Sequence, residues 1–105
     1  MPGPTSDLAV LVVEDNPNDA ELILRHLRQF GYQPESRRVK DEPSYLQALD
    51  DGAAPGRPWD VILADYALPG FSGQRALQAL RQRGLDIPFI VVSGTIGEER
   101  AVQII

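Results

Sequence analysis

The chain has no cysteine among its 105 residues, so disulfides and thiolate-held metals are excluded. It has no apolar run of membrane-spanning length, and no segment reads as a transmembrane helix. Positive charge is scarce: 10 Lys and Arg stand against 15 Asp and Glu, a formal net charge of -5. Phosphate backbones demand a basic stripe, and the one basic cluster, Arg37-Arg38-Val39-Lys40, is short. Direct nucleic-acid binding is therefore not expected. The segment Met1 to Ser6 lacks the charged and apolar regions of a signal peptide. A disordered lead over residues 1–7 and a cytoplasmic location follow as expectations. There is no internal repeat and no low-complexity tract.

What is present is an ordinary globular composition, 43% hydrophobic and 24% charged, on a chain long enough for one core. Three apolar runs stand out. Val61-Ile62-Leu63-Ala64 lies between Asp60 and Asp65, and Leu8 to Val13 runs into Glu14-Asp15-Asn16-Pro17. Pro88 to Val92 runs into Ser93, with Pro88 at the first strand position, where a missing donor is tolerated. Such runs, flanked by helical patterns, read as strands buried on both faces of a parallel sheet.

Between them lie helix signals. Asn16 can cap a helix that Pro17 opens, and Ala20, Ile23, Leu24 and Leu27 form its apolar face until Gly31 stops it. Gln33 to Val39 is mostly polar and suits an edge strand. Asp41 to Asp50 reads as a helix with Tyr45, Leu46 and Leu49 inward, followed by a loop from Gly52 to Pro58. Ser72 can cap a third helix with Ala76, Leu77 and Leu80 inward, ending before Gly84. Thr95 to Glu98 has capping-box spacing, so a fourth helix is expected to carry Ala101, Val102 and Ile105 on its apolar face. That pattern has no closing signal, so the chain reads as cut within it.

Alternating strands and helices argue for an α/β domain with a parallel sheet and right-handed crossovers. All strand carboxyl ends then share one edge, which gathers Glu14, Asp15, Asp65 and Ser93. Taken singly, Asp65 reads equally as a loop cap, and Ser93 as a turn residue before Gly94. Converging carboxylates repel unless a cation joins them, and a hard divalent ion such as Mg2+ suits oxygen donors and phosphate. A carboxylate can also act as a nucleophile and form an aspartyl phosphate.

Val12-Val13-Glu14-Asp15-Asn16, then Asp65 before Leu68-Pro69-Gly70-Phe71-Ser72-Gly73, then Ile90-Val91-Val92-Ser93-Gly94, resembles a response-regulator receiver domain of two-component signalling. The resemblance runs from about Leu8 to Ile105. It implies a flavodoxin-like three-layer sandwich with parallel strand order 2-1-3-4, the family's fifth strand being absent, and a domain over residues 8–105 incomplete at its C-terminus. It implies Asp65 as phosphoacceptor and Glu14, Asp15, Asp65 and the Ala67 carbonyl as the Mg2+ shell. Ser93 would be the switch hydroxyl. The family's lysine at the end of the fifth strand has no counterpart here, and Lys40 cannot be assigned its role. The family is a phosphoacceptor that assists its own phosphorylation and dephosphorylation, not an enzyme acting on other substrates. Implied partners are a histidine kinase or phosphotransfer protein docking near helix one, with Leu22 and Leu27 as candidate contacts. A homodimer or element-swapped oligomer through an exposed fourth strand and helix is also expected.

The competing reading keeps the fold without the chemistry, as a phosphorylation-independent interaction or dimerisation module. An aspartyl-nucleophile phosphatase would need a second acid at position 67, which is Ala67. A nucleotide-binding relative would need a Gly-rich loop after the first strand, and none is there. His26 reads as a surface residue and Phe71 as loop packing.

Overall fold

Strict alternation along the apolar runs decides the architecture. A computed structural model describes residues 6–65, 71–92 and 102–104, with Ser6, Asp65, Val92 and 102–104 described by backbone alone. Strand β1 (Ser6–Val13) and strand β3 (Val61–Asp65) each have both faces covered. Val10, Val12, Val61 and Leu63 pack on one side with Ala20 and Leu24 of helix α1 (Pro17–Gln29). Ala9, Leu11, Val13, Ile62 and Ala64 pack on the other side with helix α2 (Glu42–Asp51) and helix α3 (Gly73–Gln82). The sheet is thus the middle of three layers. Fully burying one such aliphatic side chain contributes about 1.5–3 kcal/mol, so the interleaved strands carry most of the cohesion.

The sheet order is β2-β1-β3-β4-β5, with β2 at Tyr32–Val39, β4 at Phe89–Val92 and β5 at Val102–Ile104. The first four strands run parallel. This is the expected 2-1-3-4 order, with the polar strand β2 at one edge. Strand β1 begins two residues ahead of the expected Leu8, because Ser6 and Asp7 pair with Tyr32 and Gln33.

Two expectations about the C-terminal end are overturned. Val102 to Ile104 form a strand, not a helix, and they pair antiparallel with β4 through Ile90–Ile104, Val91–Gln103 and Val92–Val102. The fourth strand is therefore not an exposed edge, although the strand that covers it runs antiparallel and is not the parallel fifth strand of the family. The physical reason lies in β4 itself: an apolar strand with a bare row of N–H and C=O groups is stabilised by any segment that pairs with it. The branched residues Val102 and Ile104 suit that role. The helix start expected at Thr95 lies outside the described residues.

Each helix is set by its cap. The Asn16 side chain accepts from the N–H groups of Asn18 and Asp19, at 2.8 and 3.4 Å, with Pro17 at the first position. Asp41 and Ser44 form a reciprocal capping box at the start of α2. Ser72 accepts from the Arg75 N–H at 3.1 Å to open α3. Trp59, 6% exposed, leads into β3 and donates its indole N–H to the Ala48 carbonyl at 2.9 Å.

Candidate functional site

The parallel register aligns the strand ends. Val39, Val13, Ala64 and Val91 occupy one row across β2, β1, β3 and β4. One step further along are Glu14 on the first chain segment and Asp65 on β3, with Asp65 paired to Val92. Glu14 and Asp65 thus fall in the same row at one sheet edge, with Asp15 one residue further along the loop. Ser93 and Ala67 lie outside the described residues, Ser93 directly after the paired Val92.

Glu14 is 2% exposed, the one buried charged residue among the described residues. Its backbone N–H continues the ladder to the Val39 carbonyl at 2.9 Å. Its Oε1 accepts from the Asn16 N–H at 3.0 Å, which folds the carboxylate back over its own loop. Asp15 is exposed at the mouth of this turn. The two acids therefore differ in environment: Glu14 is buried and held by the loop, whereas Asp15 is exposed to solvent. Oxygen donors of this kind, one held and one open, suit a hard ion that keeps part of its water shell, which is how Mg2+ is usually bound. Among residues with described side chains, no three acids or histidines converge as a complete metal cluster, so the fit rests on this acid loop together with the Asp65 position.

A cation that sequence reasoning did not single out also reaches this loop. Arg38, near the end of β2, donates from Nη1 to the Glu14 carbonyl at 3.2 Å and to the Asp15 carbonyl at 3.4 Å. Its signal in the sequence is positional: it lies one residue short of the strand end that pairs with Val13. Lys40 makes no comparable contact; its backbone N–H donates to the Ser44 hydroxyl.

A scan for known domains matches residues 10–105 to the response regulator receiver domain. The chain belongs to that family. It is 32% identical over 95 residues to the sensor histidine kinase RcsC of Salmonella typhimurium, covering 90% of this chain and 9% of RcsC. It is 33% identical over 97 residues to the phosphate regulon transcriptional regulatory protein PhoB of Klebsiella pneumoniae, covering 90% of this chain and 39% of PhoB. The receiver domain thus spans well under half the length of these relatives. Among solved structures it is similar to the receiver domain of the sensor histidine kinase PA1611 from Pseudomonas aeruginosa PAO1, described with a magnesium ion coordinated in its active site cleft. That match has a TM-score of 0.62 at 25% identity and covers 89% of this chain and 72% of the other. Full-length FixJ from B. japonicum shares the fold, at a TM-score of 0.64, 20% identity, 83% of this chain and 39% of the other.

The remaining sequence-derived candidates sort by burial. Phe71 is 3% exposed and packs its ring on Tyr45, centroids 5.3 Å apart and tilted by 55°, so it is loop packing as expected. Leu27 packs against the α1-side core, whereas Leu22 lies outside that cluster and stays half-buried. His26 is exposed on α1. Among the described residues, no helix is long and apolar enough to cross a membrane.

Proposed function

We propose that this receiver domain is a phosphoacceptor in which Asp65 takes a phosphoryl group from a phosphohistidine on a histidine kinase or phosphotransfer protein. The observation that carries the reading is the β1–β3 register, which aligns the acid loop with Asp65 at one strand end. A carboxylate oxygen of Asp65 attacks phosphorus, the P–N bond to the donor imidazole breaks, and the imidazole keeps the electron pair and regains a proton. Phosphoryl transfer of this kind depends mainly on positioning and charge neutralisation.

Mg2+ would be held by Glu14, Asp15, Asp65 and the Ala67 carbonyl, with Asp15 the more direct ligand. When bound, it supplies the charge neutralisation that lets a carboxylate approach a phosphoryl group. Glu14 anchors the loop, through Oε1 and its ladder N–H, so that Asp15 keeps its place. Ser93 acts as the switch hydroxyl that turns toward the phosphoryl group. The small Ala67 leaves an approach for the water that removes it. The setting is cytoplasmic, where such donors work.

The test is incubation with a small-molecule phosphodonor and Mg2+, read by intact mass and by peptide mapping. A gain of one phosphoryl group at Asp65, absent in Asp65→Asn and absent without the metal, is the expected result. Neither phosphoryl gain nor beryllium fluoride binding would leave the phosphorylation-independent interaction module as the function.

A further inference from the structure

The acid loop runs from the end of β1 to the first residue of α1, and each of its ends has a backbone anchor. The Glu14 N–H holds the β2 ladder at 2.9 Å, and the Asn16 carbonyl accepts the Ala20 N–H at 3.1 Å. Between these anchors the carbonyls of Glu14 and Asp15 both turn toward one nitrogen, Nη1 of Arg38, at 3.2 and 3.4 Å. Strand β2 ends at Val39, so its backbone ladder stops at the level of Glu14. The Arg38 side chain extends that ladder by one more step, with a charged donor in place of a backbone amide. Pulling both carbonyls toward β2 fixes the two peptide planes around Asp15, and with them the direction in which its Cα–Cβ bond leaves the chain.

Arg38 is unlike its neighbour in this respect. Arg37 is instead spent on a surface ion pair with Asp51 of α2, at 2.9 Å. Both carry the same charge, one residue apart, yet only Arg38 touches the loop.

We propose that Arg38 is a positioning residue for metal binding, its Nη1 holding the Asp15 peptide so that the Asp15 carboxylate meets Mg2+ in a prepared geometry. This rests on the reading of Glu14 and Asp15 as metal ligands. Its sign separates it from simple electrostatics. A cation beside a divalent-metal site repels the metal, so deleting Arg38 would tighten Mg2+ if charge alone mattered. Loss of positioning does the opposite, since groups that orient a ligand typically cost about 10–100-fold in metal affinity when removed.

The experiment is Mg2+ titration of the chain by calorimetry, at one ionic strength, for the unaltered protein, Arg38→Met, Arg38→Lys and Arg37→Met. Arg38→Met is expected to weaken Mg2+ about tenfold. Arg38→Lys, which keeps a single charged donor able to serve both carbonyls, is expected to restore most of that loss, and Arg37→Met to leave affinity unchanged or slightly tighter. Metal-free thermal melts of all four show that each is folded, and the lysine variant carries the test if the methionine one is not. Equal or tighter Mg2+ binding by folded Arg38→Met overturns the role of Arg38 while leaving the phosphoacceptor reading intact. A lysine variant as weak as the methionine one overturns it too. Absence of Mg2+ binding by the unaltered chain removes both.

Discussion

The Tyr45 hydroxyl donates a 2.7 Å hydrogen bond to the carbonyl of Ala76, tying α2 to α3 from within the core. Tyr45 is 0% exposed, and its ring also supports Phe71, the first described residue after the segment that follows Asp65. The bond thus braces the two helices that cover one face of the sheet.

Replacing Tyr45 with Phe should cost about 1 kcal/mol, the net value of one such bond. That lowers the melting temperature of a domain this size by about 4–8 °C. Burial pushes the Tyr45 pKa up from its ordinary value of 10.0. The sign follows: the folded state favours the neutral phenol, so its contribution is whole below the unfolded pKa and is lost as pH rises past it. The stability gap between the native protein and Tyr45→Phe should narrow above pH about 10. Denaturant midpoints across that range measure it, and a constant gap would contradict the buried neutral phenol.

At the acid end, Ser44 hydrogen bonds hold the Asp41 carboxyl below its ordinary range, and Arg37 does the same for Asp51. Depressed carboxyl values give stability that is present above the unfolded pKa near 3.8 and lost as pH falls through the folded value. Ser44→Ala should therefore flatten the decline in melting temperature below pH about 4, as well as lowering the melt at neutral pH. An unchanged acid slope would mean that the capping box does not depress Asp41.

The glycines offer a contrast in cost. Gly52 closes α2 at φ 70 and ψ -173, and a Cβ there would meet the Arg57 carbonyl oxygen at 2.7 Å. Gly84 ends α3 at φ 67 with open space around it. Gly52→Ala should cost more than the roughly 1–3 kcal/mol of backbone strain alone, because the backbone must also move. Gly84→Ala should cost only about 1–2 kcal/mol. Paired melts check the order, and a larger loss at Gly84 would reverse the argument.

For β5, backbone nuclear Overhauser contacts should link Val91 with Gln103 in antiparallel register. Strong sequential amide–amide contacts through Val102 to Ile104 would instead restore the helix.

Much of this fold is legible in the residues. Runs of alternating-face apolar residues such as Leu8 to Val13 can be satisfied only inside a sheet, and Asn16, Asp41 and Ser72 mark helix starts because short polar side chains suit orphan N–H groups. The β5 segment reads as helical because Ala101, Val102 and Ile105 fit a helical spacing, over too few residues to exclude a period of two. What decided it was β4, a partner distant in sequence. Arg38 escaped for the same reason. Nothing local marks one arginine of a basic pair as the one that reaches across to the acid loop, since that depends on which way β2 faces when it pairs with β1. The row containing Glu14 and Asp65 was readable because it needs only that both strands run parallel and end in acids.

The single tryptophan makes one further use of the structure possible. Trp59 sits at the amino end of β3, sealed from water and bonded to Ala48, while Asp65 ends the same strand. Its emission should be blue-shifted in the native state and red-shifted once the core opens. Because the indole lies a full strand away from the carboxyl edge, its fluorescence will report the integrity of the sheet and stay nearly silent to events at the acid loop. The molecule therefore carries an internal optical control that distinguishes a variant that has lost its site from one that has lost its fold.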